Sequence, residues 1–298
     1  MLQDISVDGR VLVIQGFFER DISFLGEGTA NPRSLAWFDR DYPSRLSTDG
    51  RWMLSGGWDP DTRMQAMLRR TSGELPAFLG PGFAEDLSPD GRTALLLPES
   101  TDGLILRATR GETRREVPMK GFDVSTTRFA GATDRTDRAI SVARTKSDKG
   151  YRLYSVDLRT GAVAPLSEEV VWEDDLEVSP RGRWAAVLIS SDGQLVPAIV
   201  ALSDGKLSVI PGLGPGLTPA GWASDSELWL SRLDRSTFKL IRYDVERRRI
   251  TLEKPTVDLG GSGSVIWVRV TPDGRNILFG QVRDTAHLYV IGGLTGAR

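Results

Sequence analysis

Leu87-Ser88-Pro89-Asp90-Gly91-Arg92, followed by Thr93-Ala94-Leu95-Leu96-Leu97, is a tight turn feeding an apolar strand. Pro89 presets φ for the first central position of a type I turn, and the Asp90 carboxylate can accept from nearby backbone amides. Gly91 supplies the positive φ that closes a bulged hairpin. Variants return as ISVDGRVLVI (5–14), LSTDGRWML (46–54), VSPRGRWAAVLI (178–189) and VTPDGRNILF (270–279). Two degenerate copies fill the gaps: GATDRTDR at 131–138, where the turn is stretched, and WASDSELW at 222–229, which lacks the glycine. The turn glycines or their stand-ins fall at 9, 50, 91, about 136, 182, 226 and 274. A spacing of roughly 41 to 48 residues, with several short strands per unit, predicts an all-β propeller.

A second signature follows each turn: an alternating strand ending in a polar turn. The clearest copy is Tyr151-Arg152-Leu153-Tyr154-Ser155-Val156-Asp157-Leu158 before Arg159-Thr160-Gly161. Alternation of period two bounded by Gly or Asp is a hairpin signal. Each unit therefore reads as four strands, at 83–87, 93–97, 103–107 and 113–117 in the third. The sequence reading gives seven four-stranded blades, the last one incomplete after 288–291 and open at its edge unless residues upstream of Met1 pair with it. The alternative is six blades. No segment has a capped 3.6-residue period, so almost no helix is expected. The glycine-rich connectors at 211–216 and 260–264 are expected to be the most mobile parts.

Composition narrows function. The formal charge of -2 argues against a nucleic-acid surface, which needs an excess of Lys and Arg. With no cysteine, thiolate chemistry, thiolate metal sites and disulfides are out. No run of about 18 apolar residues and no leader pattern is present, so the chain is expected to carry no membrane segment itself. Starting inside a repeat, it reads as one propeller domain of a longer chain, monomeric.

The paired signature, SPDGR with its apolar strand and then LYSVDLRTG, resembles the TolB-like and WD-repeat-like propellers of bacteria. The ordered set GRVLVIQ, FERDISFL, RLSTDGRWML, ALLLP, RVTPDGRNILFGQV and AHLYVIGGL is similar to the C-terminal propeller that follows a eukaryotic-type Ser/Thr kinase domain or a winged-helix regulator. That resemblance implies a sensor module on a signalling protein, outside the cytoplasm if a membrane helix tethers it and cytoplasmic otherwise. No HRD or DFG string occurs, so kinase chemistry cannot belong to this chain.

Aligned, the repeats place Asp4, Arg45, Asp86, Arg128, Glu177, Gly221 and Arg269 at one position near the end of each innermost strand, with charges alternating. Two readings are open: ion pairs between blades, neutral in sum, or a polar funnel for a ligand or peptide terminus. If Asp86 and Glu177 are each paired to an arginine, the ring is scaffold. A carboxylate standing free would suit a general base in a lyase or hydrolase. No cofactor or metal is expected. His287 lacks a partner histidine, and the acidic run Glu168, Glu169, Glu173, Asp174, Asp175 and Glu177 lacks the spacing of a Ca²⁺ loop. Asp59-Pro60-Asp61 is weaker still. Arg247-Arg248-Arg249 and Arg114-Arg115 read as edge charge. Most of the eight tryptophans sit at strand positions that pack, leaving Trp37 and Trp58 in loops as possible ligand contacts. There is no GxSxG elbow, P-loop or dinucleotide glycine motif. The expected function is therefore non-catalytic: a protein or peptide partner, or a small ligand, held at one mouth of the ring, or a partner strand docked on the open last blade.

Overall fold

A computed structural model describes residues 2–6, 10–38, 40–61, 63–130, 137–260 and 263–291, the side chains of 2, 3, 15–18 and 284–287 aside. The described residues form strands and turns without helix. The chain opens with β1 (Leu2–Ile5), β2 (Val11–Leu25) and β3 (Arg33–Ser34). The first blade is β4 (Tyr42–Leu46), β5 (Trp52–Asp59), β6 (Arg63–Arg70) and β7 (Ala77–Pro81); the second is β8 (Phe83–Leu87), β9 (Thr93–Leu97), β10 (Gly103–Ala108) and β11 (Arg114–Pro118). The third is β12 (Phe122–Phe129), β13 (Arg138–Thr145), β14 (Arg152–Asp157) and β15 (Val163–Pro165). The fourth is β16 (Leu176–Val178), β17 (Trp184–Ser191), β18 (Gln194–Ala201) and β19 (Leu207–Val209). The fifth is β20 (Leu217–Trp222), β21 (Glu227–Asp234), β22 (Thr237–Asp244) and β23 (Arg249–Glu253), with β24 (Val257–Asp258) added to β22. Last come β25 (Ser264–Val270) and β26 (Ile277–Ile291).

Among the described residues there are six sheets, the alternative count, and not seven. The repeats marked by Gly9 and Gly274 lie in one sheet, ordered β25-β26-β2-β1, with β3 also on β2. β2 pairs with β26 along its whole length, from Val11↔Ile291 to Leu25↔Ile277. The edge that the sequence leaves open on the last blade is thus covered by the chain's own amino-terminal segment. β26 runs unbroken through 277–291, so 288–291 is not a separate strand. Its second half, with β1 and the first half of β2, extends past the blade, where Leu288 and Val290 are exposed.

Packing closes the ring. The innermost strands touch in the circular order β4, β8, β12, β16, β20, β25 and back to β4. Apolar clusters sit between consecutive blades: Leu54, Leu68 and Leu87 join the first to the second, and Leu97, Leu104 and Phe129 the second to the third. At the closure, Ile22 and Leu278 of the sixth blade pack on Leu35, Leu46 and Met53. Burial between faces of neighbouring sheets explains why each blade's strands carry apolar residues on both sides. In the 211–216 connector, Leu213 is buried with the preceding Ile210 in the cluster between the fourth and fifth blades, and the Leu213 carbonyl accepts from Arg232. Among the described residues no helix is long and apolar enough to cross a membrane.

The turns at Gly50, Gly91, Gly182 and Gly274 stand at one end of the ring. Ser47, Ser88 and Thr271 each donate their hydroxyl to the aspartate two residues on, Asp49, Asp90 and Asp273, and accept from the amide five residues on. Gly91, at φ 68°, closes its turn with a hydrogen bond to Ser88. The two irregular repeats explain each other. The fourth blade has Arg181 where the first, second and sixth have aspartate, and Asp225 of the fifth blade supplies the missing acceptor: Ser179 Oγ and the Arg181 amide both donate to it at 2.9 Å.

Candidate functional site: the turn-side mouth and its arginine-carboxylate floor

The inner strands carry Arg45, Asp86, Arg128, Glu177, Gly221 and Arg269 to the channel in the alternating order the sequence indicates. Asp4 is not among them. It lies exposed on β1, the outer strand of the sixth sheet, and accepts from the next amide. A bulge precedes Arg45, Asp86 and Gly221, between Pro43 and Arg45, Ala84 and Asp86, and Pro219 and Gly221. Such an extra residue bends the strand and re-aims the side chain that follows.

The charges converge. Arg45 lies with Nε 2.9 Å from Asp86 Oδ1 and donates from Nη1 to Glu177 Oε2 at 2.5 Å. Arg269 and Arg128 approach the other Glu177 oxygen at 3.5 and 3.8 Å. Asp86 Oδ2 accepts the Phe129 amide, tying the second blade to the third. Arg269 also reaches the carbonyls of Ser44, Pro219 and Val268.

Burial penalises each charge, and the number of partners decides the outcome. Glu177 faces three arginines, which overcome burial and hold it below the ordinary carboxylate range. Asp86 is raised by burial despite Arg45 and Arg128. For Arg45 burial works against the charge, but Asp86 and Glu177 outweigh it and the net direction is up; Arg269 is lowered by burial.

Two acids outside the aligned position join the network. Glu85, the bulge residue before Asp86, accepts from Thr126 Oγ1 and the Thr127 amide at 2.9 Å and lies 3.3 Å from Arg128 Nη1; burial pushes it up to about 7. Asp175, at the head of β16, is pushed by burial to about 6, with Arg269 opposing. Sequence alignment misses Glu85 because a bulge shifts the register by one, and Asp175 sits inside an acidic run that looks solvated.

Above this floor lies a cavity of about 210 Å³, walled by Leu46, Leu87, Phe129, Val178, Trp222 and Val270 and rimmed by the turn residues Thr48, Pro89, Pro180 and Pro272. Gly221 lines it too, with φ 142°; a Cβ there would stand 3.0 Å from the Val270 carbonyl of the sixth blade, so the close approach of the two inner strands suits glycine. Of the other candidates, Trp37 and Trp58 are exposed while Trp222 and Trp229 are buried. Arg247 pairs with Asp244, and Arg114 with Glu116. The side chain of His287 lies outside the described residues. Among the described residues no group of three His, Cys, Asp or Glu side chains is placed to hold a metal ion.

With a closed six-sheet ring in place, its likeness to solved structures has a clear meaning. A protein described as TolB from Agrobacterium tumefaciens superposes with a TM-score of 0.63 at 16% identity, over 90% of this chain and 99% of that one. The fold is a TolB-like β-propeller. An oligogalacturonate lyase from Vibrio parahaemolyticus matches with a TM-score of 0.58 at 14% identity, over 88% of this chain and 76% of that one. A chain of a nidogen/laminin complex matches at 0.55 and 11%, over 78% and 92%. No protein-family model matches the sequence, and no curated protein matches it.

Proposed function

We propose that this propeller is a non-catalytic binding module that takes a protein or peptide partner at the turn-side mouth, in a bacterial signalling protein of the kind its repeats resemble. One observation carries the reading: both channel carboxylates that could serve as a base, Asp86 and Glu177, are held by Arg45. Glu177, held below the ordinary carboxylate range, is a poor proton acceptor, and Asp86 has Arg45 beside one oxygen and the Phe129 amide on the other. The mouth combines a polar floor with apolar walls and a rim of turns from the first, second, fourth and sixth blades, the arrangement by which a scaffold presents loops to a partner. The nidogen/laminin likeness, a chain from a complex between proteins, agrees with this use.

An enzymatic reading draws its support from Asp175, half-buried and raised to about 6, and from the likeness to a lyase. Panning a displayed peptide library on the whole chain, with a mouth-blocked Thr48→Trp variant as counter-target, tests the proposal. Peptides that bind the parent and lose about tenfold or more on Thr48→Trp are expected, a factor equivalent to about 1.4 kcal/mol. Peptides that ignore the block, or turnover of oligogalacturonate that disappears in Asp175→Asn, would overturn it.

A further inference from the structure

We infer that the segment held at this mouth is the carboxyl-terminal end of an extended polypeptide, its terminal carboxylate on Arg45 and its preceding residues in the cleft between the first and second blades. This rests on the binding reading above and specifies its ligand.

Size comes first. The central cavity, about 210 Å³, is smaller than the roughly 300–1,000 Å³ of a site that encloses a whole small ligand, so it accommodates an end group. It does not stop at the rim. A second cavity of about 690 Å³ lies between the first and second blades, along Trp52, Leu68, Ala77, Ala108, Thr109 and Arg110. Ser47, Thr48, Pro89 and Gly91 line both, so the two volumes adjoin over the same turns. A narrow end chamber opening into a longer radial cleft fits a linear chain entering from the side, at about 3.3 Å per residue, better than a compact molecule.

Charge selects which end of the chain is held. Arg45 keeps 24% of its side chain exposed, against 3% for Asp86, 1% for Glu177, 4% for Arg128 and 8% for Arg269. Arg45 and Asp86 both line the chamber, and Arg45 is the more exposed of the two. Its Nε and Nη1 are engaged, while among the described residues no hydrogen bond or ion pair uses Nη2. A guanidinium offers five N–H donors in a planar fork, so donors remain for a carboxylate. Around Glu177 stand Arg45, Arg128 and Arg269 against Glu177, Asp86, Glu85 and Asp175, so acids and bases roughly cancel near neutral pH and the selection rests on the accessible Arg45. An incoming ammonium would meet Arg45 first.

The test uses two pools of random octapeptides, identical except for a free or an amidated carboxyl terminus, passed over the immobilised whole chain and quantified by mass spectrometry. The free-acid pool is expected to be retained about tenfold or more above the amide pool, the factor associated with a charge-assisted hydrogen bond. That comparison needs no variant. Retention should also fall several-fold with Pro180→Trp, which narrows only the central chamber, and with Ala77→Trp, which narrows only the cleft. Equal retention of both pools, lost on Pro180→Trp, would overturn this inference and leave the binding module standing. Retention insensitive to Ala77→Trp, with N-acetylglycine competing as well as octapeptides, would mark a small-carboxylate site and overturn the peptide assignment. Retention of neither pool would overturn both readings.

Discussion

Arg45 on the first blade and Glu177 on the fourth meet at 2.5 Å across the channel, joining sheets that stand opposite each other in a ring of six. Neighbouring blades are already held by apolar clusters, but this contact links blades that share no apolar surface. Asp86 and Arg128 extend it to the second and third blades and Arg269 to the sixth. The floor of the mouth is thereby made from five blades at once.

The capping of one blade by the next predicts a rescue. Asp225→Ala removes the acceptor for Ser179 Oγ and the Arg181 amide and should cost about 1 kcal/mol or somewhat more. Arg181→Asp in that background restores a carboxylate at its usual place in the turn and should recover part of the loss. A thermal melt of the three proteins decides; no recovery would mean that Asp225 stabilises something other than the neighbouring turn.

Closure by the amino-terminal segment predicts that Ile22, fully buried on β2, matters as much as a core leucine of an ordinary blade. Ile22→Ala and Leu54→Ala should each lose about 2–5 kcal/mol. A silent Ile22→Ala would show that the sixth sheet is not sealed by β2.

The buried acids set a pH dependence. Glu85 is raised to about 7, and Asp175 and Asp41 to about 6, in each case by burial first. Folded values above the unfolded ones mean that their contribution is complete below the unfolded carboxylate range and is lost as pH rises through 6 and 7. The melting temperature should fall between about pH 5 and about pH 8, with Glu85 responsible for up to about 3 kcal/mol. Glu85→Gln, which keeps an acceptor for Thr126 and Thr127, should flatten that slope. A profile unchanged by the substitution would contradict the assignment.

Much of this was legible in the repeats. The turn Ser88-Pro89-Asp90-Gly91 and its alternating strands placed the second blade at 83–87, 93–97, 103–107 and 113–117; the observed strands begin and end within one residue of these. The alternation of Arg45, Asp86, Arg128, Glu177 and Arg269 was likewise readable, because each occupies the same place in a local pattern. The blade count was not. The sequence Val7-Asp8-Gly9-Arg10 reads like Pro272-Asp273-Gly274-Arg275, and only the long-range pairing of β2 with β26 shows that their repeats share a sheet. Asp4 was misplaced for the same reason. Glu85 was hidden by a bulge, which shifts register without a distinctive residue, and the use of Asp225 by another blade is a contact over 46 positions that no local motif records.

The most direct test of the scaffold reading is the thermal melt of Arg45→Met, which keeps much of the side-chain volume and removes the charge. Leaving Asp86 and Glu177 with one arginine fewer in a buried site should cost about 3–5 kcal/mol. At roughly 2–4 °C per kcal/mol for a chain of this size class, the melting temperature should drop by about 10 °C. An unchanged melt would contradict the claim that the arginine-carboxylate floor holds the ring together.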